Sequence, residues 1–182
     1  AGRQPNGFIK VQIDQSKVFL GQSFSVTMEL FVLRLLPNDL PVPQLTTPGF
    51  RFTRKRPEFF RTLRLENGTR YDVFVFKTGA VATKVGKRNI VFETAVTVRD
   101  SNNLFGKRKQ IQVTSNPIAM EVVPLPAEGR PANFSGAVGS NLLFKVKAGS
   151  TAVNTGDPVN LSLEISGRGA LDQTTFPGSD QW

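Results

Sequence analysis

Apolar and polar residues alternate along two stretches near the start of the chain, Phe8 to Ile13 and Phe24 to Leu30, with a Gly21-Gln22 turn signal between them. Successive side chains of a strand point to opposite faces, so the pattern predicts two strands that bury one face and hold Thr27 and Glu29 outward. The pattern returns 135 positions later, where Phe8 falls on Leu143 and Leu30 on Ile165. Without a gap, Lys10/Lys145, Val11/Val146, Val18/Val153, Gly21/Gly156 and Glu29/Glu164 coincide, and Phe24, Val26, Met28 and Leu30 fall on Val159, Leu161, Leu163 and Ile165. One strand-turn-strand unit is therefore expected twice.

Between the copies, strand signals are closely spaced and helix signals scarce. Pro37, Pro41, Pro43 and Pro48 each lack a ladder donor, which predicts an extended connection along a sheet edge leading into a strand from Gly49 to Thr53. Asn67-Gly68 is the strongest hairpin signal, because a type I′ turn needs positive φ at both central positions. Asn67-Gly68-Thr69, Asn133-Phe134-Ser135 and Asn160-Leu161-Ser162 also match the glycosylation sequon, but the turn reading accounts for Asn67. Tyr71 to Phe76 is apolar on both faces and predicts a central strand covered on each side. Val81 to Val85, Ile90 to Val98, Lys109 to Val113 and Asn116 to Val123 complete the predicted strands, with turns at Lys84 to Lys87 and Ser101 to Gly106.

These elements predict an all-β fold of tandem immunoglobulin-like β-sandwich domains, the second incomplete in this chain. The expected division is an antiparallel sandwich over residues 1–123, a Pro/Gly interdomain linker over 124–140, and the opening strands of a second, truncated β-sandwich over 141–182. The second copy has no strands to cover Phe144, Val146, Val153, Val159, Leu161, Leu163 and Ile165. It is expected to be held by the first domain or by self-association through strand pairing, and the natural protein is expected to continue beyond Trp182.

Composition narrows the chemistry. Hydrophobic residues make up 39% of the chain, enough for a packed core. The absence of Cys and His removes thiol nucleophiles, disulfides, Cys/His zinc sites and Ser-His or Cys-His catalytic arrangements, and the fourteen acids are scattered. A non-enzymatic protein is expected, with no catalytic residue, metal site or cofactor. A row of exposed Trp or Tyr, as carbohydrate binding wants, is not available from Tyr71 and Trp182 alone. The longest apolar run, Leu30 to Leu36, is broken by Arg34 and ended by Pro37, well short of the roughly 20 residues a spanning helix requires. The opening residues AGRQPNG have no signal-peptide apolar region, so any export signal is expected to have been removed or never present.

The net charge of +9 concentrates in residues 51 to 70, where Arg51, Arg54, Lys55, Arg56, Arg61, Arg64 and Arg70 face only Glu58 and Glu66 and interleave with Phe52, Phe59 and Phe60. Basic residues among stacking aromatics are what single-strand binders use. The same spacing arises on a strand whose Phe and Leu point inward and whose Arg point outward, as in Thr62-Leu63-Arg64-Leu65, and this is the favoured reading. Arg54, Lys55, Arg56, Arg61 and Arg64 are accordingly the candidate polyanion or partner surface, and a nucleic-acid or polyanion-binding β domain that also uses Lys107-Arg108-Lys109 is the alternative.

The linker carries the most specific signal. Pro124-Leu125-Pro126, Gly129-Arg130-Pro131 and Phe134-Ser135-Gly136-Ala137-Val138-Gly139 resemble the interdomain segment of BatD-type proteins of bacterial aerotolerance operons. Gly21 to Phe24, Pro41 to Phe50, Asn116 to Ile118, Thr155 to Val159 and Ile165 to Gly169 resemble neighbouring parts of that family. The resemblance implies an exported protein with immunoglobulin-like domains in the bacterial periplasm or on the outer face of the cytoplasmic membrane. It also implies an anchor through a membrane segment absent from this chain, and von Willebrand factor A-type protein partners rather than nucleic acid. Gly136 and Gly139 are expected to accommodate the backbone at a domain junction, since a phosphate loop would need a following helix. Phe134 is the linker's expected apolar anchor.

Overall fold

Alternation along the chain becomes thirteen strands among the described residues of a computed structural model, which describes residues 5–33, 42–99, 106–130, 132, 134, 138–150, 152–169 and 171. In chain order they are β1 (Gly7–Ile13), β2 (Lys17–Phe19), β3 (Ser23–Val32), β4 (Gln44–Leu45), β5 (Phe50–Phe52), β6 (Glu58–Glu66), β7 (Thr69–Ala82), β8 (Gly86–Ile90), β9 (Phe92–Arg99), β10 (Arg108–Thr114), β11 (Ile118–Val123), β12 (Gly139–Ala148) and β13 (Leu161–Gly169). The chain is nearly all β, in sandwich-like sheets. Pro37, Pro41, residues 101–105 of one expected turn, Asn133 and Trp182 lie outside the described residues. Among the described residues no helix is long and apolar enough to cross a membrane.

The first sheet runs β1-β3-β7, with β5 and β6 sharing the far side of β7. Its antiparallel register sets Ile9, Leu30 and Phe74 in one row and Val11, Met28 and Phe76 in the next. These residues face the main core, which the second layer completes with Ile90, Phe92, Val96, Val98, Val113, Met120 and Val122. On the opposite face Phe31, Tyr71, Val73 and Val75 form a second buried cluster with Phe8 and Leu33 packed against it. Phe8 stacks on Phe31 at 4.5 Å between ring centroids, and Tyr71 meets both rings edge-on. The run Val73 to Phe76 thus fills two apolar layers at once, as its lack of alternation predicts.

In the second layer, β10-β9-β4 and β2-β11-β8 are two halves of one kinked hairpin. Thr114 lies opposite Glu93 and Ile118 opposite Ile90, so Ser115, Asn116 and Pro117 face only Val91 and Phe92. This one-residue excess is a bulge, a place where the missing N–H of Pro117 costs no ladder bond. Ser115 keeps the ladder satisfied: its N–H donates to the Phe92 carbonyl and its hydroxyl accepts from the Phe92 N–H. The expected strand from Ile90 to Val98 is interrupted here at Val91.

Three further expectations need correction. Val81 to Val85 is not a strand of its own, because Val81 and Ala82 extend β7, which opposes β3 from Asp72 to Val81. The sandwich is not wholly antiparallel, since β2 leaves the first sheet after β1 and runs parallel to β11, pairing Lys17, Val18 and Phe19 with Glu121, Val122 and Val123. Backbone bonds from Glu121 N–H to Ser16 and from Leu20 N–H to Val123 clamp both ends of that pairing. The strand after the linker begins at Gly139, inside the segment expected to be linker.

The sequence repeat is also a structural repeat. Lys10 lies opposite Glu29 in the first copy and Lys145 opposite Glu164 in the second, and Val11/Met28 corresponds to Val146/Leu163. The turns match bond for bond: Gln22 N–H donates to Phe19 O and Asp157 N–H to Asn154 O, while the Gln22 and Asp157 side chains accept from the Phe19 and Asn154 N–H groups. Gly21 and Gly156 occupy the left-handed region at φ 82° and 97°, where a Cβ would strain the turn.

Burial divides the copies. Ile9 and Val26 are 6% and 1% exposed, whereas their counterparts Phe144 and Leu161 are 55% and 52% exposed. The counterpart of β2, residues 152–154, is not itself a strand, and no strand pairs with it among the described residues. Met28→Ala is therefore expected to cost about 2–5 kcal/mol of unfolding free energy and Leu161→Ala no more than about 0.5 kcal/mol, measured by urea denaturation of the full chain.

Candidate functional site

The basic stretch runs from β5 through β6 to the start of β7. Asn67 and Gly68 have φ values of 47° and 75°, so the β6–β7 connection is the predicted two-residue turn with both central residues left-handed. Register then assigns the faces. Phe59 lies opposite Phe76, Arg61 opposite Phe74, Leu63 opposite Asp72 and Leu65 opposite Arg70, all on the core side. Phe60, Thr62, Arg64 and Glu66 lie on the other side, opposite Val75, Val73, Tyr71 and Thr69.

The expectation that Phe and Leu of this strand point into the core is corrected. Leu63 and Leu65 are 54% and 72% exposed, and Phe59 and Phe60 are about half exposed. The apolar rows of the first sheet do continue onto β6, from Met28 through Phe76 to Phe59. The second layer does not follow them: β4, its strand on that side, has only two residues. Phe59, Leu63 and Leu65 take the expected face while Phe60 and Arg61 take the reverse of it, and cover in any case requires a strand opposite. The exposure of Leu63 and Leu65 was missed for that reason, whereas Phe60 is exposed on the opposite face, beside Val75.

Arg54, Lys55, Arg56, Arg61 and Arg64 are all exposed. Their charges are partly spent in local pairs. Arg54 contacts Glu58 at 2.6 Å, Arg61 contacts Asp72 at 2.7 Å, and Arg64 reaches across β7 to Glu29 at 2.8 Å. Lys10 reaches the other way, from β1 to Glu66 at 2.6 Å, with its ammonium 5.0 Å from the Phe31 ring centroid. The guanidinium of Arg61 lies 5.6 Å from the Phe74 centroid, so a cation caps the last buried ring of its row. Lys55, Arg56, Arg70 and Lys77 have no acidic partner among the described residues. Lys107-Arg108-Lys109 stands elsewhere, because β10 packs beside β1 on the far side of the sandwich. The two basic stretches do not converge.

Tyr71 sits beneath this surface at 1% exposure, and its hydroxyl donates to the Pro5 carbonyl at 3.1 Å. Burial, with the Glu66 charge second, raises its pKa above the usual 10.0. The neutral phenol is the form the folded state favours. Its contribution is intact below the ordinary phenol pKa and is lost as pH rises through the folded-state value.

Of the linker motif, Pro124, Leu125, Pro126, Gly129, Arg130, Phe134, Val138 and Gly139 are described, while Pro131, Ser135, Gly136 and Ala137 lie outside the described residues. Phe134 is exposed, and Val138 lies near the first glycine turn, since a Cβ on Gly21 would stand 3.4 Å from Val138 Cγ2. Gly139 opens β12, where an added Cβ would collide with the Arg168 carbonyl. A strand and not a helix follows it, so it is backbone accommodation. A cleft of about 540 Å³ separates the sandwich end at Gln22, Ser25 and Arg54 from the hairpin base at Ser140 and Arg168. Among the described residues no group of three acids is placed to hold a metal ion.

No protein-family model matches the chain, and no curated protein matches it. The geometry of the β6–β7 arm and the linker residues are thus what bear on function.

Reversing the charges of Arg54, Lys55 and Arg56 to Glu is expected to leave unfolding free energy within about 1 kcal/mol of the parent, because exposed charges contribute little. Tyr71→Phe is expected to cost about 0.5–1.5 kcal/mol at neutral pH through the lost hydrogen bond. It should also flatten part of the alkaline fall in stability, which urea melts at pH 7 and at roughly pH 10 to 11 would read as a smaller pH difference than in the parent.

Proposed function

We propose that this chain is a non-enzymatic, extracytoplasmic protein–protein interaction module of a bacterial envelope complex linked to aerotolerance, acting with von Willebrand factor A-type partners. The observation that carries the reading is the linker from Pro124 to Gly139, which resembles the interdomain segment of BatD-type proteins and here lies between two copies of one strand-turn-strand unit. Those copies share register and turn hydrogen bonds. An immunoglobulin-like reading of the first unit is supported by the switch of its opening strand between sheets and by the parallel β2–β11 pairing. On this reading the protein works from the periplasm or the outer face of the cytoplasmic membrane, and it contributes surfaces instead of reacting groups.

A polyanion-binding reading is favoured by one observation, the pair Lys55 and Arg56, without acidic partners among the described residues, close in the chain to exposed Phe59 and Phe60. Salt separates the two. Binding through several phosphate contacts weakens steeply with ionic strength, whereas a mixed apolar and hydrogen-bonded protein interface does not. Pull-down from bacterial envelope extract with the full chain is expected to retain a protein with a von Willebrand factor A-type domain through a high-salt wash. Nucleic acid that elutes with salt, and no retained protein, is the opposite outcome.

A further inference from the structure

The most unusual feature of the molecule is the open side of β6. This strand is hydrogen-bonded to β7, and among the described residues no strand pairs with its other edge. A two-residue type I′ turn is closed by the hydrogen-bonded pair Glu66 and Thr69, so alternate residues Arg64, Thr62 and Phe60 direct their backbone groups at β7. Leu65, Leu63, Arg61 and Phe59 direct theirs outward. Natural sheets protect such edges with proline, bulges, very short strands or charge. β6 has nine residues, no proline and an unbroken register, so charge is its main protection.

The outward backbone groups and the uncovered apolar side chains coincide. Phe59, Leu63 and Leu65 belong to the outward-bonding set and also lie on the core-side face that the second layer leaves bare. A strand added at this edge would gain main-chain hydrogen bonds and cover apolar surface in one step. The charges select what that strand is. Glu58, Glu66 and Asp72 are held in ion pairs with Arg54, Lys10 and Arg61, which leaves Lys55 and Arg56 at one end of β6 and Arg70 beside the other. A second copy of the chain meeting edge to edge would bring two such sets of cations together, so self-pairing is disfavoured.

Resting on the reading of the chain as a protein-interaction module, we propose that β6 is a β-augmentation site for an extended acidic segment of a partner protein, one that alternates β-branched apolar residues with Asp or Glu. Its backbone pairs with Phe59, Arg61, Leu63 and Leu65, its apolar residues lie beside Phe59 and Leu63, and its carboxylates meet Lys55 and Arg56.

The test is fluorescence anisotropy with the full chain and a labelled peptide as long as β6 that alternates Val or Thr with Asp or Glu. Three competitors accompany it: the same peptide N-methylated along one edge, then along the other, and a single-stranded oligonucleotide of equal charge. Saturable binding is expected, weakened at least about tenfold by methylation of one edge and not of the other, because only one edge of the guest faces β6. Leu63→Pro in the chain removes an N–H that points away from β7 and is expected to weaken binding by about tenfold, as is the double variant Lys55→Glu, Arg56→Glu, which leaves the backbone intact. No saturable binding, equal tolerance of methylation at both edges, or displacement by the oligonucleotide at lower concentration than by the unlabelled peptide would each overturn the proposal. The interaction-module reading is judged separately: if the envelope partner survives high salt but binds the Lys55→Glu, Arg56→Glu chain as well as the parent, the module stands and its contact lies away from β6.

Discussion

The fold hangs on the pairing of β3 with β7 along ten residue pairs, Ser23 with Val81 through Val32 with Asp72. Each strand donates and accepts on both sides, so nearly all the backbone polar groups of these two strands are satisfied before any side chain is considered. The same register lines up Leu30 with Phe74 and Met28 with Phe76 toward the main core, and Phe31 with Val73 toward the outer cluster. A slip of one residue would exchange these faces and turn Glu29 into the core. The second layer, the outer aromatic cluster and the β6 arm all take their positions from this ladder.

The two copies of the opening unit separate local from tertiary causes. Register, turn hydrogen bonds and the left-handed glycine are the same in both, so they are set by residues within the unit. Burial is not the same. In the first copy the apolar face is closed by strands that come later in the chain, chiefly β8 to β11, whereas in the second the same kind of face, with Phe144, Val146 and Leu161, is open. A two-stranded ribbon can satisfy its own ladder but has too little area to bury its own side chains.

Charge follows a related logic on the outer face of the first sheet. Lys10 to Glu66 and Arg64 to Glu29 run across the sheet in opposite directions above the buried cluster of Phe31, Tyr71, Val73 and Val75. Pairs this exposed add little energy. Their effect is to neutralise acids that would otherwise offset the basic arm, while Lys55, Arg56 and Arg70 keep theirs unmatched. The surface that results is positive in sign and apolar along one edge.

Alternation, the Asn-Gly turn, the unalternating run at Val73 to Phe76 and the repeat were all legible in the sequence, because each depends on residues within a few positions or on comparison of the chain with itself. Local geometry obeys period and φ preference, and these are properties of short segments. What the tertiary structure alone decided was which predicted faces find a cover. Leu63 and Leu65 carry the same alternation signal as Val26 and Met28, yet the first pair is exposed and the second buried, since a strand lies opposite one and not the other. The crossing of β2 to a parallel neighbour, the bulge at Ser115 to Pro117, and the pairing of Arg64 with Glu29 likewise join residues far apart in the chain. No local pattern encodes a neighbour that arrives later, and burial, pairing and open edges are all set by neighbours.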